Sequence, residues 1–354
     1  MRKSIAIIIT SILVLSGCNK QQSVSDRLLN EVEKAIAINP DSASNLLKGI
    51  SSPEKLDNKT FARWCMLSGK ITDEIFNSIL PTYQLERAYD WYSSHGSPDE
   101  QVQILIYLGR SYFADGDYDK AMSIYTNALD IAEKNKLNNL TGYTYSYIGD
   151  LYGEKFMRTE AIKRYKAAAE CFKKENNTDS YACALRDVGR EYACIDSLSR
   201  ALKILTIADS VARNTKNIEV TASIDNALGN IYAMQNKYDK AEEYFLKALV
   251  GRETMPDYMA LIDLYIASGA INKAQELLSK ILQDNPKYTY SIKYLYYQIY
   301  NEEKNYKEAL TNLKEYVEIT DSIIYADNQS KILNIESKYC LLYTSPSPRD
   351  MRRS

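Results

Sequence analysis

The sequence predicts an all-α protein: an α-solenoid of antiparallel helix pairs wound as a superhelix, ending in a long helix. Two regularities and one composition value lead there. A short motif recurs as Leu108-Gly109-Arg110-Ser111-Tyr112, Ile148-Gly149-Asp150-Leu151-Tyr152, Val188-Gly189-Arg190-Glu191-Tyr192 and Leu228-Gly229-Asn230-Ile231-Tyr232, its glycines 40 residues apart. Twelve residues after each Gly stands an alanine (Ala121, Ala161, Ala201, Ala241), and four further on a large apolar residue (Tyr125, Tyr165, Leu205, Phe245). Three beyond that is alanine again: Ala128, Ala168, Ala208, Ala248. With 45% apolar and 25% charged residues, the 354-residue chain has the make-up of a folded protein. A fixed period of this length marks a repeat array rather than separate domains.

The spacing has a physical reason. Small residues let the two helices of a pair approach closely, and an aromatic or large aliphatic side chain fills the gap beside them. Gly116 and Asn236 fall where the first helix of a pair should end on a left-handed residue. On these residues the chain resembles the tetratricopeptide repeat (TPR) family, two antiparallel helices per unit. The resemblance covers 102–323, with units near 102–135, 142–175, 182–215, 222–255, 255–288 and 290–323. Tyr265, Gly269, Ala274, Leu278 and Pro286 carry the fifth unit, and Tyr300, Tyr306, Ala309 and Leu313 the sixth. The departure is one of length: the standard unit is ~34 residues, whereas four units here repeat every 40. The six extra residues lengthen each helix by less than a turn.

Before the array, Arg2 and Lys3 precede an apolar stretch, Ile5 to Leu15, too short to span a bilayer. Leu15-Ser16-Gly17-Cys18 then resembles the bacterial lipobox. The resemblance implies a lipoprotein signal peptide over 1–17 and lipid on the thiol of Cys18, with 18–25 as a polar tether. The region 26–101 is read as helical, a degenerate capping repeat with Gly69, Ala88 and an inserted turn near Pro81. Within it Asn39 should cap a helix whose first residue is Pro40, and Ser97-Pro98-Asp99-Glu100 is a capping box that opens the array. After the array, 324–339 continues as a helix in which Ile332, Ile335 and Tyr339 could begin a coiled-coil seam. From Cys340 to Asp350 the string resembles a translated sequencing-adapter artefact. That implies a non-native tail over 340–354 and a natural protein that continues beyond Tyr339.

Composition excludes several functions. Lys and Arg number 44 against 46 Asp and Glu, and setting aside the charges of the signal and tail leaves a body more acidic still. A nucleic-acid footprint needs a basic face, so no nucleic-acid partner is expected. His95 is the only histidine, which excludes a His-rich metal site, and its loop lacks a nucleophile motif. No Walker, G-x-G-x-x-G, G-x-S-x-G, H-E-x-x-H or C-x-x-C motif is present. No catalysis, metal or cofactor is therefore expected. Cys65, Cys171, Cys183 and Cys194 are read as free thiols, with a Cys171–Cys183 bridge as the open alternative. Cys183 and Cys194 lie about 16 Å apart by helix rise, too far to bridge each other.

Binding is the better prospect. The resemblance implies a groove lined by the first helix of each unit, at positions two, five, nine, twelve and thirteen. Those positions are Gln103, Ile106, Arg110 and Phe113 (at twelve) in the first unit; Tyr143, Ser146, Asp150 and Glu154 in the second; Cys183, Arg186, Arg190 and Cys194 in the third; Ser223, Asn226, Asn230 and Met234 in the fourth. Arg186 and Arg190, one turn apart, could hold a carboxylate or phosphate or could pair with Asp150 or Glu154. Asn226 and Asn230 could bond peptide amides. The candidate groove residues are thus Arg110, Asp150, Arg186, Arg190, Asn226 and Asn230, with Cys18 as the lipidation site. The lysines of the carboxylate clamp found in chaperone-binding members are not reproduced.

The whole chain resembles TPR envelope lipoproteins of Gram-negative bacteria and is similar to the periplasmic sensor halves of membrane-bound regulators. It implies a non-catalytic scaffold that binds a protein or peptide, lipid-anchored and facing the periplasm. The alternative it implies is the sensor portion of a truncated membrane-bound transcriptional regulator or signalling protein.

Overall fold

The computed structural model describes residues 24–75, 79–284 and 289–344, and among them every regular element is helical. The first helix, α1, covers 24–36. It is followed by α2 (Pro40–Lys48), α3 (Asn58–Ile75), α4 (Thr82–His95), α5 (Pro98–Ala114), α6 (Tyr118–Lys134), α7 (Asn138–Glu154) and α8 (Arg158–Lys174). Then come α9 (Thr178–Cys194), α10 (Leu198–Ala212), α11 (Ile218–Met234), α12 (Tyr238–Gly251), α13 (Met255–Ala267) and α14 (Ile271–Asp284). The last two are α15 (Thr289–Glu302) and α16 (Tyr306–Thr344), the latter a single helix of 39 residues. The architecture is the expected all-α solenoid. Contacts divide it into two compact units, 1–147 and 148–354, with the division inside α7.

The helices start where capping chemistry starts them. Asn39 accepts from the Ser42 amide at 2.9 Å with Pro40 as the first helical residue. At α5 the capping box is complete: the Glu100 amide donates to Ser97 Oγ at 3.3 Å, and the Ser97 amide to Glu100 Oε2 at 2.8 Å. Asp117, Asn177 and Asn217 cap α6, α9 and α11 the same way, each accepting from the amide three residues on.

The helices stop on a finer ruler than the sequence period. Residues 116, 136, 156, 176, 196, 216 and 236 all have positive φ, between 55° and 77°, one every 20 residues. Only the first is glycine; Lys136, Phe156, Asn176, Asp196, Lys216 and Asn236 adopt the left-handed conformation with a side chain. At Gly116 the Asp117 amide donates to the Tyr112 carbonyl at 2.9 Å and the Gly116 amide to Phe113 at 3.0 Å, a Schellman pair. The same two bonds recur at 136, 156, 176, 196 and 236. Helices of 17 residues and three-residue connections therefore set the 40-residue repeat as two half-units of 20. Gly116 and Asn236 are left-handed as expected. Asn176 and Asp196 are also residue types that tolerate this conformation, whereas nothing in the residue type of Lys136, Phe156 or Lys216 announces it.

Within a pair, glycine seats the ring of its partner helix. A Cβ built on Gly109 would lie 2.3 Å from the Tyr125 ring, one on Gly149 2.7 Å from Tyr165, and one on Gly229 2.6 Å from Phe245. At Gly189 the seated group is Leu205, at 2.6 Å. The flanking alanines (Ala121, Ala128, Ala161, Ala168, Ala201, Ala208, Ala241, Ala248) are fully buried. In the first unit Leu29, Val32, Ala43, Leu47, Leu67 and Ile71 form a further core around α1 to α3. In the second, a core runs from Phe245 through Leu261, Ile262, Leu278, Leu295 and Ile299.

Two outcomes separate these terms. Gly229→Ala should lose about 1–3 kcal/mol of stability by overpacking the Phe245 ring, read as a lower denaturant midpoint; an unchanged midpoint would mean that the ring simply moves aside. Gly116→Ala, where an added Cβ meets no atom within 4 Å, should lose about 1 kcal/mol through backbone strain alone, and Lys136→Gly should gain about 0.5 kcal/mol at the equivalent turn.

Candidate functional site

The groove positions separate into two kinds once side chains are placed. In the second unit, position five is tied up between helices. Arg186 on α9 donates to both carboxylate oxygens of Asp187, at 2.9 and 3.1 Å, and to Ser223 Oγ on α11 at 2.9 Å. Asn226 on α11 donates to Asp257 Oδ1 on α13 at 2.9 Å. Asp257 is fully buried, and Arg252 forks onto it with two bonds of 3.0 Å while Thr254 Oγ1 donates to it as well. These residues hold successive first helices together. The partner of Arg186 is its own neighbour Asp187, rather than Asp150 or Glu154.

Position nine faces solvent. Asp150, Arg190 and Asn230 are all exposed. Arg190 keeps 66% of its side-chain surface accessible, with Asp187 at 3.8 Å as its ion-pair partner. Asn230 donates to the Asn226 backbone and side-chain oxygens, each at 3.0 Å, and remains exposed. Asp150 accepts from the Tyr165 hydroxyl at 2.7 Å. Surrounding protein pushes the Asp150 carboxyl up to about 6, and Asp187 adds to this. The Tyr165 hydrogen bond and the Arg186 and Arg190 guanidiniums oppose it without cancelling it. Water still reaches Asp150, so its shift belongs to a crowded, re-entrant surface and not to a sealed interior.

In the first unit Arg110, also at position nine, is ion-paired with Asp73 of α3 and lies over the Tyr147 ring at 5.5 Å. The Tyr107 hydroxyl donates to the same Asp73 carboxylate at 3.1 Å. Ser223 stands at position two of its unit, whereas Asp73 and Asp187 occupy no groove position of the repeat pattern. Thr254-Met255-Pro256-Asp257 carries the Ser/Thr-x-x-acid signature of a helix start, which hints at a cap for α13 but not at the bond from Asn226.

The tyrosine ruler is partly core and partly rim. Tyr112 and Tyr265 are buried, whereas Tyr152, Tyr192 and Tyr232 are half-buried. Each ring carries a cation: Lys120 over Tyr112, Arg164 over Tyr152, Arg200 over Tyr192, Lys240 over Tyr232 and Lys273 over Tyr265. Hydroxyls reach back to the preceding helix, as from Tyr265 to Glu242 at 2.9 Å.

Elsewhere, His95 stacks on Trp91 with centroids 5.1 Å apart, and its Nδ1 donates to the Trp91 carbonyl oxygen at 3.0 Å. Cys65 and Cys183 are thiols, so the Cys171–Cys183 bridge is not formed. Among the described residues no cluster of three or more acidic, His or Cys side chains could hold a metal, and no helix is long and apolar enough to cross a membrane. Cys18 and the stretch 345–354 lie outside the described residues.

Comparison with known proteins agrees with this architecture. Residues 105–138 and 221–255 each match a family model described as tetratricopeptide repeat. No curated protein matches the sequence. Among solved structures the chain is similar to a Rap protein complexed with Competence and Sporulation Factor: 18% identity, 86% of this chain against 88% of that one, TM-score 0.65. It is similar to the apo form of RapI at 14% identity, 90% against 96%, TM-score 0.55. A third is the signal transduction ATPase with a tetratricopeptide repeat sensor from Pyrococcus horikoshii, at 14% identity and TM-score 0.58, where 89% of this chain matches 49% of that one. At these identities the likeness establishes the fold. The chain carries tetratricopeptide repeats within an all-α helical-repeat fold.

The Asp150 carboxyl gives a pH test. A folded-state value of about 6, above the ordinary 3.8, means that the native protein binds the proton more tightly than the unfolded chain. Stability from this group therefore falls as pH rises from about 4 to about 6 and stays lower above. Asp150→Asn should raise the thermal midpoint at pH 7.5 and leave it unchanged near pH 3.5; an equal gain at both would assign the effect to packing.

Proposed function

We propose that this protein is a non-catalytic scaffold that binds a protein or peptide along the first-helix faces of its repeats. It is held in the cell envelope by lipid on Cys18, facing the periplasm. The observation that carries the binding reading is the division of labour in the second unit. Arg186 and Asn226 brace the helices, while Asp150, Arg190 and Asn230 present one anion, one cation and one amide from the successive first helices α7, α9 and α11. An extended chain rises about 3.3 Å per residue, and packed helices lie about 8–10 Å apart. Successive first helices, packed at that distance, would therefore address every third residue of a bound segment. The similarity to a Rap protein solved with Competence and Sporulation Factor supports a peptide as ligand. The lipid anchor rests on the lipobox-like Leu15-Ser16-Gly17-Cys18.

The second reading, the sensor portion of a membrane-bound regulator, is favoured by α16. It leaves the last repeat and continues without a break through Ile335 to Tyr339, and 39 residues extend about 58 Å.

Crosslinking capture from the native envelope tests the binding role. Asp150→Lys with Arg190→Glu should lose the captured partner while the helical circular dichroism signal is kept, because both side chains are exposed. Equal recovery of the same partner by the double variant would sink the proposal. Separately, Cys18→Ala should move the protein from the membrane to the soluble fraction, and unchanged membrane association would refute the anchor.

A further inference from the structure

The first unit holds a cavity that the repeat pattern does not require. It measures about 520 Å³ and opens among α3, α5 and α7. Gln103, Ile106 and Arg110 line it from α5, which are positions two, five and nine of that helix. Its wall is aromatic: Tyr107, Tyr143 and Tyr147, joined by Leu140. Lys70 and Asp73 of α3 close the far side.

The wall is rigid for reasons that can be traced. Gly69 lets Tyr107 lie flat on α3, since a Cβ there would stand 2.3 Å from the ring, and Tyr107 is anchored by its bond to Asp73. Tyr147 stacks on Tyr125 at 5.7 Å with planes 14° apart. Tyr143 stays accessible, with 38% of its surface open. Arg110 is fixed between Asp73 and the Tyr147 ring. The lining charges are then two cations, Lys70 and Arg110, against one carboxylate. Arg110 cancels Asp73, which leaves the Lys70 ammonium to set the sign of the cavity.

We infer that this cavity is a recognition pocket for a peptide segment in which a bulky apolar side chain, aromatic or leucine-like, stands next to an acidic residue. The tyrosine faces and Ile106 take the apolar group, and Lys70 with the outer edge of Arg110 takes the carboxylate. A volume of about 520 Å³ admits one large side chain and its neighbour, within the ordinary range of ligand cavities. The pocket deepens the scaffold reading by naming a ligand chemistry, but it uses residues of the first unit only. It can therefore fail while capture through Asp150 and Arg190 succeeds.

The test is a peptide array probed with the labelled chain. Eight-residue Gly/Ser peptides carry every pair of amino acids at the two central positions. Phe, Tyr, Trp or Leu beside Asp or Glu should bind at least tenfold more strongly than the same residues beside Lys or Arg. Lys70→Glu should invert that preference, an outcome that a misfolded variant cannot produce, and Tyr143→Ala should flatten it. A flat array with the parent chain, or an acid preference that survives Lys70→Glu, would overturn the inference. If the array behaves as expected while Asp150→Lys with Arg190→Glu still captures its envelope partner, only the second-unit reading falls.

Discussion

Everything in the repeat depends on how closely the two helices of a pair approach, and one contact sets that distance. A glycine on the first helix lies against a ring or a leucine on the second, with no room for a Cβ: 2.3 Å at Gly109, 2.6 Å at Gly189 and Gly229, 2.7 Å at Gly149. Alanines above and below, fully buried, keep the approach from opening along the helix. A gap of a methyl group on any of these faces would separate the helices and leave the seated ring without its neighbour. Dispersion contacts fall off steeply with such a separation. The close approach also fixes which faces are left outside, and the binding surfaces are made from those.

The contact was legible because it needs residue types that are rare together at a fixed spacing. Gly, then Ala, then a large apolar residue, then Ala, repeated four times, leaves little room for another fold. The helix starts at Asn39 and Ser97 were legible for a similar reason, since a side-chain acceptor three residues before its amide is a local bond. The ends were less so. Gly116 and Asn236 announce a left-handed turn, but Lys136, Phe156 and Lys216 do not, and they adopt it where the next helix docks 20 residues on. Tertiary packing overrides a local preference worth about 1 kcal/mol.

The candidate site was half legible. Repeat spacing together with the TPR resemblance placed Asp150, Arg190 and Asn230 on one face, and each is exposed there. It could not say that Arg186 would turn to the adjacent Asp187 and to Ser223, or that Asn226 would reach Asp257. The bonds to Ser223 and Asp257 depend on the offset between neighbouring helices. A guanidinium at position five of α9 is close enough to α11 to be satisfied there, and a buried carboxylate such as Asp257 needs every donor within reach. In the second unit position five braces and position nine presents, a distinction of a single helical turn that the residue types do not carry; in the first, Arg110 at position nine is itself held by Asp73.

The tyrosines show the same limit from another side. Thirty in one chain are explained in part by the ruler: Tyr125 and Tyr165 lie on glycine, while Tyr112 and Tyr265 are buried near the ends of first helices. The remainder follow a different logic. Phenylalanine would fill the apolar positions as well, yet the chain has only six, so the hydroxyl matters. Tyr107 bonds Asp73, Tyr165 bonds Asp150, Tyr192 accepts from Lys166 and Tyr265 bonds Glu242. In each case the ring packs while its hydroxyl meets a charged residue at the edge of the packed layer. A ring with a polar tip serves at that boundary, where phenylalanine would leave the charged group without its partner. The excess of tyrosine over phenylalanine thus reflects thin layers: in a solenoid, a side chain that starts in the core often ends at the surface.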